Sequence, residues 1–187
     1  MSRAVRDGYA SFARDRYTDL WLMLGDNAYP AGSDSSYQAA VFDTYPALLR
    51  QTVLWPTIGN HDLDPAYFDI FTLPASGECG GVASGTESYY SFDYADIHFV
   101  CLNSYSEDRS TGGPMMTWLR EDLQATTKNW IIAFWHHPPY SKGSHDSDTE
   151  IELHHDHLTN PAYRDTIQRG SWTKALDELG KILPSSR

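Results

Sequence analysis

Three short apolar runs, each stopped by a loop of small and polar residues, constrain this chain more than anything else in it. Asp19-Leu-Trp-Leu-Met-Leu-Gly25 leads into Asp26-Asn27-Ala28-Tyr29. Val53-Leu-Trp-Pro-Thr-Ile58 leads into Gly59-Asn60-His61-Asp62, and Asn129 to Trp135 leads into His136-His137-Pro138-Pro139-Tyr140. Runs this short, apolar throughout and closed by Gly or Pro, suit strands buried on both faces. Such strands need covering layers.

The segments between the runs supply those layers. Residues 2–15 read as a helix with Val5, Tyr9 and Phe12 on one face. Residues 35–50 read as another, with Tyr37, Ala40, Val41, Tyr45, Leu48 and Leu49 at helical spacing. Asp64 to Phe71 suits a short helix opened by Pro65. Gly113-Pro114 opens a longer one to about Thr126, with Met115, Trp118, Leu119 and Leu123 inward. Ser88–Asp93 and Ile97–Leu102 read as strands joined by a tight turn at Tyr94-Ala-Asp96, with His98 on the polar face. A last amphipathic helix covers Trp172 to Leu183. The class is therefore α/β, or α+β, with a mixed sheet. Trp21, Trp55, Trp118, Trp130 and Trp135 are expected in or near the core.

Charge narrows the partners. With 14 Lys+Arg against 25 Asp+Glu, the net charge is −11, which argues against a protein that coats nucleic acid or an anionic membrane. No apolar run approaches a bilayer span. Met1 precedes a polar stretch, Ser2 to Arg6, which does not read as a secretory signal; a soluble chain is expected, with export of a longer parent left open. Cys79 and Cys101 lack metal-ligand spacing, and sequence leaves open whether they are bridged. The acidic excess lies before residue 158, and residues 158–187 are slightly basic. We therefore expect a main unit over 1–157 and a divergent tail over 158–187.

Loops beyond the carboxyl ends of strands are where open α/β sheets build sites. The three loops would place Asp26, Tyr29, Asn60, His61 and His136 near one another. Hard oxygen donors mixed with imidazole suit Zn, Mn or Fe rather than Ca or a thiolate-bound metal. A carboxylate can bridge two cations. Glycine before Asp26 and before Asn60 lets the backbone turn sharply and approach a ligand.

The blocks GDNAY, GNHD and AFWHHPPY, in this order and each after a strand, resemble those of the calcineurin-like metallophosphoesterases, and among them the purple acid phosphatases. GDxxY in place of GDxxD separates the latter from other members. The resemblance implies a four-layer αββα core, here incomplete, and a centre of two metal ions, Fe(III) plus Zn, Mn or Fe(II). It implies that Asp26 bridges the metals, that Tyr29 is a phenolate ligand to iron, and that Asn60 and His136 hold the divalent ion. His61 would face the phosphate of a small phosphoester and protonate its leaving oxygen. His137, Asp62 and Tyr140 are candidates for positioning ligands or meeting substrate. The activity implied is hydrolysis of phosphomonoesters by a metal-activated hydroxide.

Two of the family's blocks have no counterpart here: an early Asp in a DxG turn and a late GHxH. His155-Asp156-His157 contains HxH without the preceding Gly. The expectation is therefore a fragment lacking its first and last ligand blocks. Two readings stand beside the phosphatase: an impaired remnant that binds at most one metal or a phosphate, and a phosphodiesterase or nucleotide hydrolase. A non-enzymatic interaction protein that keeps the fold ranks last. Oligomeric state is not legible.

Overall fold

The computed structural model describes residues 2–62, 65–110 and 112–138. The chain runs α1 (Ser2–Ala13), β1 (Leu20–Met23), α2 (Asp34–Tyr37), a π-helical turn (Gln38–Phe42), α3 (Pro46–Leu49), β2 (Val53–Pro56), α4 (Ala66–Ile70), β3 (Tyr90–Tyr94), β4 (Ile97–Cys101), α5 (Pro114–Ala125) and β5 (Trp130–Phe134). The strands form two sheets. In one, β1 and β2 run parallel, with Leu20 opposite Val53 and Met23 opposite Pro56. In the other, β3 and β4 are antiparallel and β5 lies parallel to β4, in the order β3-β4-β5. The mixed α/β class expected from the sequence is the one observed.

The sheets face each other through aromatic rings. Trp55 of β2 stacks on Phe92 of β3 at 3.7 Å between centroids, and Phe92 stacks on Phe99 of β4 at 4.8 Å. Pro56 ends β2, where its missing N–H costs no ladder bond. Its carbonyl accepts from the hydroxyls of Tyr67 (3.0 Å) and Tyr90 (2.7 Å), and the Thr57 hydroxyl donates to the Leu102 carbonyl at 3.0 Å. These hydroxyls are thus paired as burial requires. On the far side of the second sheet, α5 buries Met115, Met116, Trp118, Leu119 and Leu123 against Val100, Ile131 and Ala133. On the first sheet, Tyr45 packs edge-on against Trp21 at 4.7 Å.

Four readings from the sequence change. The helix expected over 35–50 is broken into α2, the π-helical turn and α3. Pro46 has no N–H to give and excludes helical geometry from the residue before it, and Tyr45 sits at φ −121°, ψ 37°. His98 does not lie on a solvated face but is fully buried beneath α5. Trp130 is 68% exposed; it stands at the first position of β5, which among the described residues is the outer strand of its sheet. The α1 helix forms, but Val5, Tyr9 and Phe12 face outward among the described residues. Both cysteines are free: Cys79 is exposed and Cys101 buried. The boundary near residue 158, the 172–183 helix and the HxH at 155–157 lie outside the described residues. None of the described helices is long and apolar enough to cross a membrane.

The stack through Phe92 makes a stability prediction. Phe92→Ala should cost about 3–5 kcal/mol, because the cavity would open between two sheets that cannot close over it. Phe12→Ala, on the exposed face of α1, should stay within about 0.5 kcal/mol. Urea unfolding followed by tryptophan fluorescence measures both.

Candidate metal centre

The parallel strands β1, β2 and β5 all end at one edge of the sandwich, and their loops meet there. After β1 the backbone passes through two left-handed residues, Gly25 at φ +86° and Asp26 at φ +53°. A Cβ at Gly25 would lie 2.5 Å from Nδ1 of His136, so only glycine lets the β1 and β5 loops come this close. That sharp turn aims the Asp26 carboxylate across the gap.

Three donor atoms converge on one point. His136 Nε2 is 3.4 Å from Asp26 Oδ1 and 3.3 Å from Asn60 Oδ1. Ligand atoms about 2.1 Å from a tetrahedral cation are spaced about 3.4 Å apart, so this separation fits a Zn-sized ion. His136 Nδ1 donates to the Leu24 carbonyl at 2.8 Å, which fixes the ring and turns Nε2 toward the other two donors. The other oxygen of Asp26 faces elsewhere: Tyr29 donates its hydroxyl proton to Oδ2 at 2.5 Å. One carboxylate therefore presents one oxygen to His136 and the other to Tyr29. Among the described residues no three His, Cys, Asp or Glu side chains cluster as a metal-binding group; the third donor here is an amide oxygen.

Electrostatics follow from these contacts. Burial works against the Asp26 charge, but the hydrogen bonds from Tyr29 and the His61 N–H and the nearby imidazoles outweigh it and hold the carboxyl below its ordinary value. Its bond to Asp26, helped by burial, pushes the Tyr29 phenol up to about 12. His61 packs on Tyr29 with ring centroids 4.4 Å apart. Its backbone N–H donates to Asp26 Oδ1 at 3.0 Å, and its Nδ1–H donates to the Pro30 carbonyl at 2.7 Å. A carbonyl can only accept, so Nε2 is the atom of His61 that takes up or gives a proton.

The structure brings together Asp26, Tyr29, Asn60, His61 and His136, as the three-loop reading expected. Asp62 turns inward instead. It is 1% exposed and accepts from the Asn27 N–H (3.0 Å), the Asn27 side-chain amide (3.1 Å), the Gly59 N–H (3.0 Å) and the Tyr37 hydroxyl (2.9 Å). Burial and the charge of Asp62 raise the Tyr37 phenol far above its ordinary range. His137 packs on His136 with centroids 4.7 Å apart, and its backbone N–H and Nδ1 both meet the Ser104 hydroxyl, at 3.0 and 2.9 Å. Tyr140 lies outside the described residues. Asn27, Tyr37 and Ser104 were missed from sequence. Asn27 sits inside the GDNAY block and was open to notice, whereas Tyr37 matches an ordinary core position by its spacing.

A parallel strand pair stacked on a mixed three-stranded sheet, with Asp, Asn and His side chains meeting at the strands' carboxyl ends, matches the metallophosphoesterase fold. Residues 4–173 match the calcineurin-like phosphoesterase family, and the chain belongs to that family. The match runs past residue 140, where the last of the motif blocks ends. Within the family the chain is similar to purple acid phosphatases of Arabidopsis thaliana. It is 31% identical over 157 residues to purple acid phosphatase 23, covering 72% of this chain and 33% of that protein. It is 35% identical over 157 residues to purple acid phosphatase 15, covering 66% and 28%. The chain spans about a third or less of the length of these relatives.

The hub at Asp62 makes a testable point. Asp62→Ala would leave two backbone N–H groups, an amide and a phenol without their acceptor. It should cost more than about 3 kcal/mol, since each bond to a charged group is worth roughly 1.5–3. Asp62→Asn, which keeps one acceptor oxygen, should cost less. Denaturant midpoints of the two variants decide it.

Proposed function

We propose that the chain carries the hydrolytic chemistry of a phosphomonoesterase, with Asp26, Asn60 and His136 holding a divalent cation and Asp26 and Tyr29 contributing to a second, ferric one. The observation that carries this is that His136 Nε2 lies 3.4 Å from Asp26 Oδ1 and 3.3 Å from Asn60 Oδ1, with the His61 backbone N–H on the same Asp26 oxygen. When bound, a pair of such cations neutralises phosphoryl charge and supplies hydroxide near neutral pH.

The residues do the rest. Asp26, with Oδ1 toward His136 and Oδ2 toward Tyr29, would offer a carboxylate oxygen to each cation. Leu24, through its carbonyl, keeps His136 in the tautomer whose Nε2 lone pair is free to ligate. His61 is held at Nδ1 by Pro30 and on one face by Tyr29, so its Nε2 can deliver a proton to the leaving oxygen. Phosphodiesters are the alternative substrates, since these residues set the reaction and outer loops set the ester.

A second reading has its own observation. Three described side chains reach the divalent position, but only Asp26 and Tyr29 reach the other. On this reading the chain holds one cation and hydrolyses poorly.

Metal content per chain, a visible spectrum and p-nitrophenyl phosphate turnover test both. The dinuclear reading expects two metals, a tyrosinate–iron band lost in Tyr29→Phe, and a fall in turnover of about 10²–10⁴-fold in His61→Ala with metal content unchanged. One divalent ion per chain and no band would establish the second reading. Cation uptake undiminished in His136→Ala would overturn both.

A further inference from the structure

Away from the metal loops, the structure buries a histidine between two carboxylates. His98 on β4 is fully buried. Its Nδ1 is 2.7 Å from Asp93 Oδ1 on β3, and its Nε2 is 2.7 Å from Asp122 Oδ2 on α5. The Asp122 side chain is itself fully buried, and its other oxygen accepts from the Val82 N–H at 2.7 Å and the Ser91 hydroxyl at 2.9 Å. Lys128, just beyond α5, places Nζ 3.6 Å from Asp93 Oδ2. Nothing in the proposed reaction uses these groups.

We propose that His98 is an imidazolium in the folded chain at neutral pH, a pH-sensitive clamp that fastens α5 and the Gly80–Val82 loop to the second sheet and loosens as pH rises. Each ring nitrogen faces a carboxylate oxygen at hydrogen-bond distance, so each must carry a proton for both contacts to attract. A neutral ring would turn one lone pair against an anion. The charges close: two carboxylates against the imidazolium and the Lys128 ammonium. An ion pair buried without such closure would be costly. The other groups at the cluster are uncharged: the Ser91 hydroxyl and the Val82 N–H sit on Asp122, and Ile131 stands opposite His98 in the β4–β5 register.

The sign of the pH effect follows. Burial opposes the His98 charge, but the hydrogen bonds and charges of Asp122 and Asp93 outweigh it and raise its pKa above the ordinary imidazole value. A raised value in the folded state means the contribution is whole below about pH 6.5, where the unfolded chain is also protonated. It is lost as pH climbs from there through the folded value. Over that window the unfolding equilibrium constant should grow by up to about tenfold per pH unit for this one proton.

Nitrogen-15 NMR of the whole chain at neutral pH tests the protonation directly. Both His98 ring nitrogens should be protonated; an unprotonated Nε2, with the proton on Asp122 instead, would overturn the clamp. Urea unfolding across pH 6 to 9 tests the consequence. The parent chain should weaken with rising pH more steeply than His98→Gln, and equal slopes would also overturn it. Should His98→Gln fail to fold, the NMR measurement on the unaltered chain still decides, together with hydrogen exchange at Val82. That exchange should quicken with pH beyond its intrinsic base catalysis, and exchange that follows the intrinsic rate alone would count against the clamp.

Discussion

One buried carboxylate fixes the geometry on which everything at the candidate centre depends. An anion with almost no exposure is tolerable only when its oxygens are filled with donors. Asp62 meets that demand by drawing in the Asn27 backbone and amide, the Gly59 N–H and the Tyr37 hydroxyl. The loop after β1 and the loop after β2 are therefore tied to one point. Asn27 adds a bond of its own to the Thr57 carbonyl at 3.0 Å. With the loops so joined, Asp26 and Asn60 can approach His136 from two directions without relying on a metal to gather them.

The rest of the fold serves that edge. Parallel β1 and β2 end together, and β5, parallel to β4, brings its carboxyl end to the same side. The aromatic stack from Trp55 through Phe92 to Phe99 holds the two sheets at fixed spacing. Histidine orientation comes from backbone carbonyls, Leu24 for His136 and Pro30 for His61. The far face of the second sheet uses different means. There α5 is fastened by apolar packing and by the charged cluster at His98, so the two halves of the molecule answer to different chemistry.

Much of this was legible in the residues, and the failures have physical causes. The strands β1, β2 and β5 could be read because short apolar runs closed by Gly or Pro have few other uses, but their full burial was overread: β1 is half-buried, and Val53, Trp130 and Ile132 are exposed. The α5 helix could be read because Pro114 starts it and its apolar spacing is regular. The helix over 35–50 was misread because apolar spacing ignores Pro46, which removes a backbone donor and distorts Tyr45. His98 was misread because alternation along a strand says which side chains share a face, not what covers that face. Trp130 shows the converse: a large apolar ring stays exposed at the first position of a strand that, among the described residues, lies at its sheet's edge.

The sequence by itself determined the candidate donors and the order in which they come. Gly25-Asp26, Tyr29, Gly59-Asn60-His61 and His136 each follow a strand, and local backbone rules are enough to put them at strand ends. Tertiary structure decided which of them meet and in what state. That His136 offers Nε2, that Asp26 divides its oxygens between two neighbours, that Asp62 turns inward and that His98 lies between two acids all rest on contacts between residues far apart in the chain. Such contacts depend on how layers pack and on which partner is left to satisfy a buried charge, and no local pattern records either.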